Sequence, residues 1–433
     1  MKAIVVGSGA GGAVTARELA KSGFEVTILE AGKPFSPLTH MISWFSSLRG
    51  SWFLKDENSI EYVFPHYEVT HASQDLHIFR GVTEGGCTSI ACGNMVRAEN
   101  GLNEIGLDLS KEFEEIEKTL TINPVPMEKW RPLTQHIYDV AEQLGYVPKP
   151  TPKVTDLGKC IGCGYCELGC VTGAKWDSRR VYKDYLGKGI SLLTNTTVQK
   201  VFLEGNHARG VIVSHGIESE KISADVVVLS AGGVGTAQIL RASNLQARDK
   251  LWVDVVLTIG GVSKNSKMLK EPPMAWFIKK DNYILSPYFD LLSYWFHKPW
   301  KNVAIEDRVG MMIKLADTEQ GAVAADGSIT KSLTEKDYEG LEGAKVEAKR
   351  ILEASGVTGP FVDGMIHGGH LGGTVPLTKE DVETMHTSWL PQDLWVADLS
   401  LMPRSQGLPT MLTTAALSLR VARKIIKERL IKR

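Results

Sequence analysis

Residues 2–32, KAIVVGSGAGGAVTARELAKSGFEVTILEAG, decide the fold. KAIVV is a short β-branched run and reads as a buried strand. AVTARELAKSG has helical spacing, with Ala13, Ala16, Leu19 and Ala20 on one face and mostly small enough to lie close to a sheet. FEVTILEAG reads as a second strand ending in an acid. Strand, glycine turn, helix and strand make one βαβ unit. Gly7, Gly9 and Gly12 form G-x-G-x-x-G in its turn. The first needs freedom in φ, the second lets the backbone approach a pyrophosphate, and the third lets helix and strand pack closely. The helix N-terminus offers N–H donors and a positive dipole end to the phosphates. Glu30, eighteen residues after Gly12, stands where a carboxylate can accept both ribose hydroxyls. Alone, the glycine motif is weak evidence. Flanked by strand, helix and acid, it predicts a bound dinucleotide.

The 433 residues around this unit call for two domains or one large elaborated domain. Apolar residues at 43% and charged residues at 23% are an ordinary globular mix. A net charge of −1 gives no reason to expect nucleic acid or an anionic membrane surface as a partner. MKAIVVG enters a strand directly, so no signal peptide is expected. No apolar run reaches the roughly 18–20 residues of a membrane span. Six cysteines without a secretory leader point to metal or redox chemistry in the cytoplasm, not to a disulfide framework.

Residues 34–80 read as irregular and rich in aromatics: Trp44, Phe45, Trp52, Phe53, Tyr62, Phe64 and Tyr67. They form either a lid or a surface excursion packed by its own rings. Two helical patterns fall within 110–145, and 189–231 reads as a strand-rich return. Within 262–330, AWFIKK, YILSPYFD and RVGMMIKLAD are candidate strands of an antiparallel sheet facing a substrate. A helix is expected over 334–355, capped by Thr334 and closed at Gly356. The last helix starts near Thr413 and ends in the basic run KIIKERLIKR. Further glycine stretches along the chain favour FAD over NAD as the dinucleotide, because the longer cofactor needs more contacts.

Residues 159–170, KCIGCGYCELGC, place Cys160, Cys163, Cys166 and Cys170 at C-x2-C-x2-C-x3-C spacing. Two-residue gaps let thiolates wrap a corner of an iron–sulfur cube while backbone N–H groups point at the sulfurs. Gly162, Gly164 and Gly169 give the loop the needed freedom. A [4Fe–4S] cluster is the first choice. Zinc, which usually shows two C-x2-C pairs and a longer spacer, and plain redox thiols are the alternatives. In two-cluster ferredoxins the fourth cysteine of such a run serves the other cluster. No second run exists here, and Cys170 is not followed by Pro. Either Cys170 closes the same cluster or a remote cysteine, Cys87 or Cys92, does. Cys170 is favoured.

Several stretches resemble the glucose–methanol–choline (GMC) oxidoreductases, which are FAD flavoproteins: residues 5–32, GVTEGGCTSIACGNMVRA (81–98), VVVLSAGGVGTAQIL (226–240), HLGGT (370–374) and VADLSLMPRSQGLPTMLTTAALSLRVA (396–422). RVGMMIKLAD, LTEKDYEGL and the cysteine stretch CGYCELGCVTGAK are similar to the long-chain alcohol oxidase branch. The resemblance implies an α/β fold: a Rossmann-like FAD-binding domain and an α+β substrate domain with an antiparallel sheet. Its expected boundaries are 1–35, 81–105, 190–260 and 362–433 for the FAD-binding domain. Residues 36–80 would form a lid, 150–185 a cluster-binding insert and 261–361 the substrate domain.

The resemblance assigns Gly7, Gly9, Gly12 and Glu30 to the ADP half of FAD, and Gly85, Gly86, Thr88 and Asn94 to the isoalloxazine side. Val198 matches the position whose backbone meets the adenine. Asp398 stands where the last strand meets the flavin, and Thr410 and Met411 open a helix whose N-terminus faces the flavin. His370 matches the active-site histidine, which takes a hydroxyl proton as hydride passes to the flavin. One position departs from the pattern: Leu408 and Pro409 stand where the family usually has Asn or His.

The implied activity is hydride exchange with an alcohol, a carbonyl or an unsaturated bond on a rather apolar small molecule. A one-electron cluster beside FAD would favour a dehydrogenase or reductase over an oxidase, with a ferredoxin-like carrier or partner subunit. The alternative is an electron-transfer subunit without substrate chemistry of its own.

Overall fold

The computed structural model describes residues 1–38, 56–215 and 218–431. Trp44, Phe45, Trp52 and Phe53 lie outside the described residues. The opening stretch folds as β1 (Lys2–Val6), α1 (Ala10–Lys21) and β2 (Glu25–Leu29). β1 and β2 are central in a five-stranded parallel sheet, whose order is Leu394–Val396, Val226–Leu229, β1, β2, Ile190–Leu193. Its inner strands are almost wholly buried, which is why they read as continuous β-branched runs. α1 packs against the last helix, Met411–Ile431. Two glycines make the close packing possible. Gly7 has φ +98°, and a Cβ on Gly12 would stand 1.9 Å from the Gly7 carbonyl oxygen.

A three-stranded antiparallel meander, Thr197–Glu204, His207–His215 and Glu218–Ser223, leads back into this sheet. Among the described residues the second large sheet has nine strands. Its centre is Val255–Val262, paired antiparallel to Arg308–Leu315, which pairs in turn with Tyr283–Pro287; Trp276–Lys279 follows. Trp276–Lys279, Tyr283–Pro287 and Arg308–Leu315 fall on the expected strands AWFIKK, YILSPYFD and RVGMMIKLAD, while Val255–Val262 is not among those expected. Glu335–Ala354 lies against this sheet and opens with a capping box between Thr334 and Asp337, as the sequence predicts.

The stretch expected to be irregular is partly regular. Tyr67–His71 and His77–Gly81 form a hairpin that extends the sheet through His367–Gly368. Its register depends on a segment far along the chain, so local pattern hides it. Phe64 and Tyr67 are buried in the core: Phe64 is fully buried, 5.6 Å from the Trp295 ring. Among the described residues no helix is long and apolar enough to cross a membrane.

Candidate active site

The turn after β1 is open on one side, since an added Cβ at Gly9 meets nothing within 4 Å. α1 starts directly behind it with no side-chain cap, leaving its first N–H groups for an anion. Gly86 closes on the turn from the other side; its Cβ would stand 3.1 Å from Gly9 Cα. Ser8 joins the two glycine blocks. Its hydroxyl donates to Glu30 Oε2 (2.6 Å) and accepts from the Gly85 N–H (2.8 Å). The N–H groups of Ser8 and Gly32 also donate to the Glu30 carboxylate. Burial pushes this carboxyl above its usual range, and those hydrogen bonds oppose the push. Thr196 N–H donates to the Glu30 carbonyl (2.9 Å), which brings Val198 to the same end of β2. The Thr88 hydroxyl bonds the Gly85 carbonyl (2.6 Å). An open turn, an uncapped helix and a buried carboxylate together fit a dinucleotide.

Two expected residues hold hydrogen bonds within the protein. Asp398 is buried and accepts from Gly232 N–H (2.9 Å), the Thr236 hydroxyl (2.6 Å) and Ser400 N–H (2.8 Å), so its carboxylate clamps two turns together. Asn94 accepts from Lys153 Nζ and donates to Met274 Sδ (2.9 Å), facing the cysteine loop. Thr410 is buried where the last helix begins at Met411, and its carbonyl accepts from Thr414.

His370 lies beside that helix start. Its Nδ1 is 3.1 Å from Asp254 Oδ2, 3.2 Å from the Leu408 carbonyl oxygen and 3.2 Å from Lys314 Nζ. The carboxylate and the carbonyl accept a proton from Nδ1, while the Lys314 ammonium beside the same nitrogen is a donor; with the proton on Nδ1 the lone pair on Nε2 is free. Nε2 makes no hydrogen bond among the described residues, and the side chain is 28% exposed. Burial and then the Lys314 ammonium lower the affinity of His370 for a second proton; Asp254 and the Leu408 carbonyl oppose them. The competing His367 packs 4.9 Å from the Phe79 ring, and burial pushes it down to about 3.

Asp254 is fully buried with φ +51°, a left-handed conformation uncommon for a non-glycine residue. Its Oδ1 accepts from the Ser405 hydroxyl (2.7 Å), Gln406 N–H (2.7 Å) and Gly407 N–H (2.8 Å). Asp317 accepts from Asp254 N–H (2.8 Å) and pairs with Lys331 (2.7 Å), both side chains being fully buried. Around His370 and Lys314 the sheet presents a separate apolar cluster that includes Val256, Phe277, Ile284, Met312 and Leu408.

The cysteine loop lies between the second glycine block and the antiparallel sheet. Lys175 Nζ donates to the carbonyls of Thr88 (3.0 Å) and Ser89 (2.7 Å), and Lys153 Nζ donates to the Cys92 carbonyl (3.3 Å). On the sheet side the Tyr288 hydroxyl donates to the Glu167 carboxylate, and burial raises that carboxyl to about 7. Burial pushes Cys166 up to about 12. Burial also acts on Cys170, but hydrogen bonds from Lys175 N–H and Thr172 outweigh it and lower the thiol. The expected gathering of Cys160, Cys163, Cys166 and Cys170 about one centre is not found. Among the described residues no three His, Cys, Asp or Glu side chains stand together as a metal site. The charges still suit an anion: Lys153 and Lys175 are both buried beside these thiols, and among the described residues neither meets a carboxylate at ion-pair distance.

Asp254, Lys314, Lys153 and Lys175 are the residues sequence reasoning missed. A lysine inside RVGMMIKL, a strand buried at every position, was the available signal for Lys314.

Residues 1–268 match the family model described as GMC oxidoreductase. An uncharacterized protein of Methanocaldococcus jannaschii is 24% identical over 428 residues, which is 98% of this chain and 99% of that protein. A long-chain-alcohol oxidase of Arabidopsis thaliana is 24% identical over 411 residues, which is 82% of this chain and 52% of the oxidase, so this chain spans about half the oxidase's length. Among solved structures, pyridoxine 4-oxidase from Mesorbium loti shares the fold with a TM-score of 0.74 over 98% of both chains, at 15% identity. Aspergillus oryzae formate oxidase shares it with a TM-score of 0.73 over 99% of this chain and 98% of its own, at 14% identity.

Proposed function

The chain belongs to the GMC oxidoreductase family, and we propose that it is an FAD-dependent dehydrogenase or reductase acting at the CH–OH group of an apolar small molecule. The observation that carries this reading is His370, whose Nδ1 is held by Asp254 and Leu408 while Nε2 stays free of protein partners among the described residues. FAD, when bound, supplies the hydride acceptor. The chain's own residues do the rest. The Gly7–Gly12 turn and the start of α1 hold the pyrophosphate. His370 Nε2 takes the hydroxyl proton as the C–H hydride leaves, so that a C=O bond forms and both electrons leave with the hydride. The cluster of Val256, Phe277, Ile284 and Met312 excludes water around the reacting carbon and favours an apolar substrate.

The cysteine loop is proposed as the seat of a [4Fe–4S] cluster. The spacing of Cys160, Cys163, Cys166 and Cys170 supports it, as do the buried ammonium groups of Lys153 and Lys175, which suit an anionic cluster. Such a cluster would supply one-electron chemistry and suit a ferredoxin-like carrier or partner subunit in the cytoplasm.

Two measurements test the reading. Protein purified anaerobically is expected to show flavin absorption with a broad iron–sulfur shoulder and about four irons per chain; zinc in place of iron removes the cluster. His370→Ala is expected to slow bleaching of the bound flavin by 1-decanol roughly 10²–10⁴-fold while FAD stays bound. If no alcohol bleaches the wild-type flavin, and a reduced carrier still delivers electrons to it, the chain is an electron-transfer subunit instead.

A further inference from the structure

The connection before the last helix offers the active site no polar side chain at Leu408 or Pro409, only the Leu408 carbonyl. A polar group reaches the same place from another element. Lys314 projects from the strand Arg308–Leu315, paired with Val256 on one side and Ile284 on the other. Its side chain therefore shares a sheet face with apolar neighbours, and the residue is only 5% exposed. A lysine is expelled from such a face unless charges opposite hold it there. The charges that act on it are the carboxylates of Asp254 and Asp317, and the imidazole stands between, with Nδ1 3.2 Å from Lys314 Nζ and 3.1 Å from Asp254 Oδ2. Behind Asp254 stands Asp317 with its own partner Lys331.

We infer that Lys314 is the positioning residue of this active site, completing a Lys314–Asp254–His370 unit in place of the polar side chain missing at Leu408 and Pro409. The inference rests on the reading of His370 as the group that takes the substrate proton. Lys314 acts through His370 in two ways. Its ammonium balances the buried carboxylate of Asp254, so that Asp254 orients the ring without drawing a second proton onto it. Its positive charge beside Nδ1 also keeps the imidazole neutral, the only form with a free lone pair on Nε2. The groups facing His370 are Asp254 from the segment before Val255–Val262, Lys314 from Arg308–Leu315 and the Leu408 carbonyl. Burial lowers the proton affinity of Lys314 itself, and Asp254, Asp317, Cys92 and Glu167 around it oppose that and favour the ammonium. Removing the one cation among them leaves His370 facing only groups that favour its protonation.

The test is a pH titration of the His370 ring by NMR in the FAD-loaded protein, labelled at histidine, with His370→Gln assigning the signal. Wild type and Lys314→Arg are expected to titrate below the ordinary midpoint of about 6.5. In Lys314→Met the midpoint is expected to rise by about one pH unit or more, a tenfold gain in proton affinity. Asp254→Asn is expected to move it the other way. If Lys314→Met does not fold, the difference between Lys314→Arg and Asp254→Asn decides the matter: equal midpoints in these two and wild type overturn the inference. An unmoved midpoint in folded Lys314→Met also overturns it, since a merely structural lysine would leave the ring's affinity alone. In parallel, the acid limb of flavin bleaching by 1-decanol is expected to shift upward with the midpoint. Wild-type bleaching rates in His370→Ala would sink the assignment of His370 as proton acceptor, while the ring titration still reports on Lys314.

Discussion

Two buried sets of charge, one around His370 and one around the cysteine loop, are balanced differently. On the substrate side, Asp254 and Asp317 face Lys314 and Lys331, two carboxylates against two ammonium groups. Every carboxylate oxygen there has a named partner, and the set is complete as protein alone. On the cysteine side, Lys153 and Lys175 are equally buried but rest on backbone carbonyls and Asn94. Burying an ammonium without a counter-charge is costly, and burial lowers the proton affinity of both lysines. One region pairs its buried charges within the protein. The other rests its lysines on neutral acceptors.

The largest expected effect breaks the balanced side. Lys331 and Asp317 are 2.7 Å apart with both side chains fully buried. Lys331→Met leaves Asp317 without its main counter-charge and is expected to cost about 3–5 kcal/mol in stability, measured by denaturant unfolding. A loss below ~1 kcal/mol would mean that Lys314 already serves both carboxylates. The cysteine side should respond with the opposite sign. Lys153→Met removes a buried cation that lacks a carboxylate, so protein prepared without iron is expected to gain about 1–4 kcal/mol. The same change should lower the iron content of protein prepared with iron. Destabilisation of both preparations would show that the lysine is held by its carbonyl and Asn94 contacts alone.

The two regions were also unequally readable from the sequence. The dinucleotide turn was open to reading because strand, turn, helix and acid fall within thirty residues, where local spacing carries three-dimensional meaning. Thr334 as a helix cap and RVGMMIKLAD as a strand were readable for the same reason. The surroundings of His370 were not. His370 was found through a family motif, but Asp254, Lys314 and the Ser405–Gly407 turn come from separate stretches brought together by sheet pairing. Nothing local distinguishes Asp254 from a turn aspartate. Its left-handed backbone and its three hydrogen bonds through Oδ1 appear only once the fold is formed. The hairpin at 67–81 escaped notice because its partner, His367–Gly368, lies near the other end of the chain. The cysteine run was conspicuous, but its cationic surroundings were not, because Lys153 and Lys175 lie on either side of the run and acquire meaning only through burial.

A smaller effect sharpens the comparison further, through Glu271. It accepts from Arg131 N–H (2.7 Å) and the Thr134 hydroxyl (2.6 Å), and Lys153 is among the charges that act on it. Burial raises its carboxyl to about 7, so near neutral pH it is only partly ionised and is a poor counter-charge for Lys153. A carboxyl raised from about 4.5 in the unfolded chain binds more protons in the folded state. Its contribution to stability is present below about 4.5 and is lost as pH rises through about 7. Protein prepared without iron is therefore expected to lose about 2–3 kcal/mol between pH 5 and 8, and Glu271→Gln should remove that slope. If the slope persists in Glu271→Gln, the titrating group lies elsewhere. If stability instead rises across this window, Glu271 is ionised at neutral pH and pairs with Lys153. The cysteine side would then be closer to balance, and the case for an anionic ligand would rest on Lys175 alone.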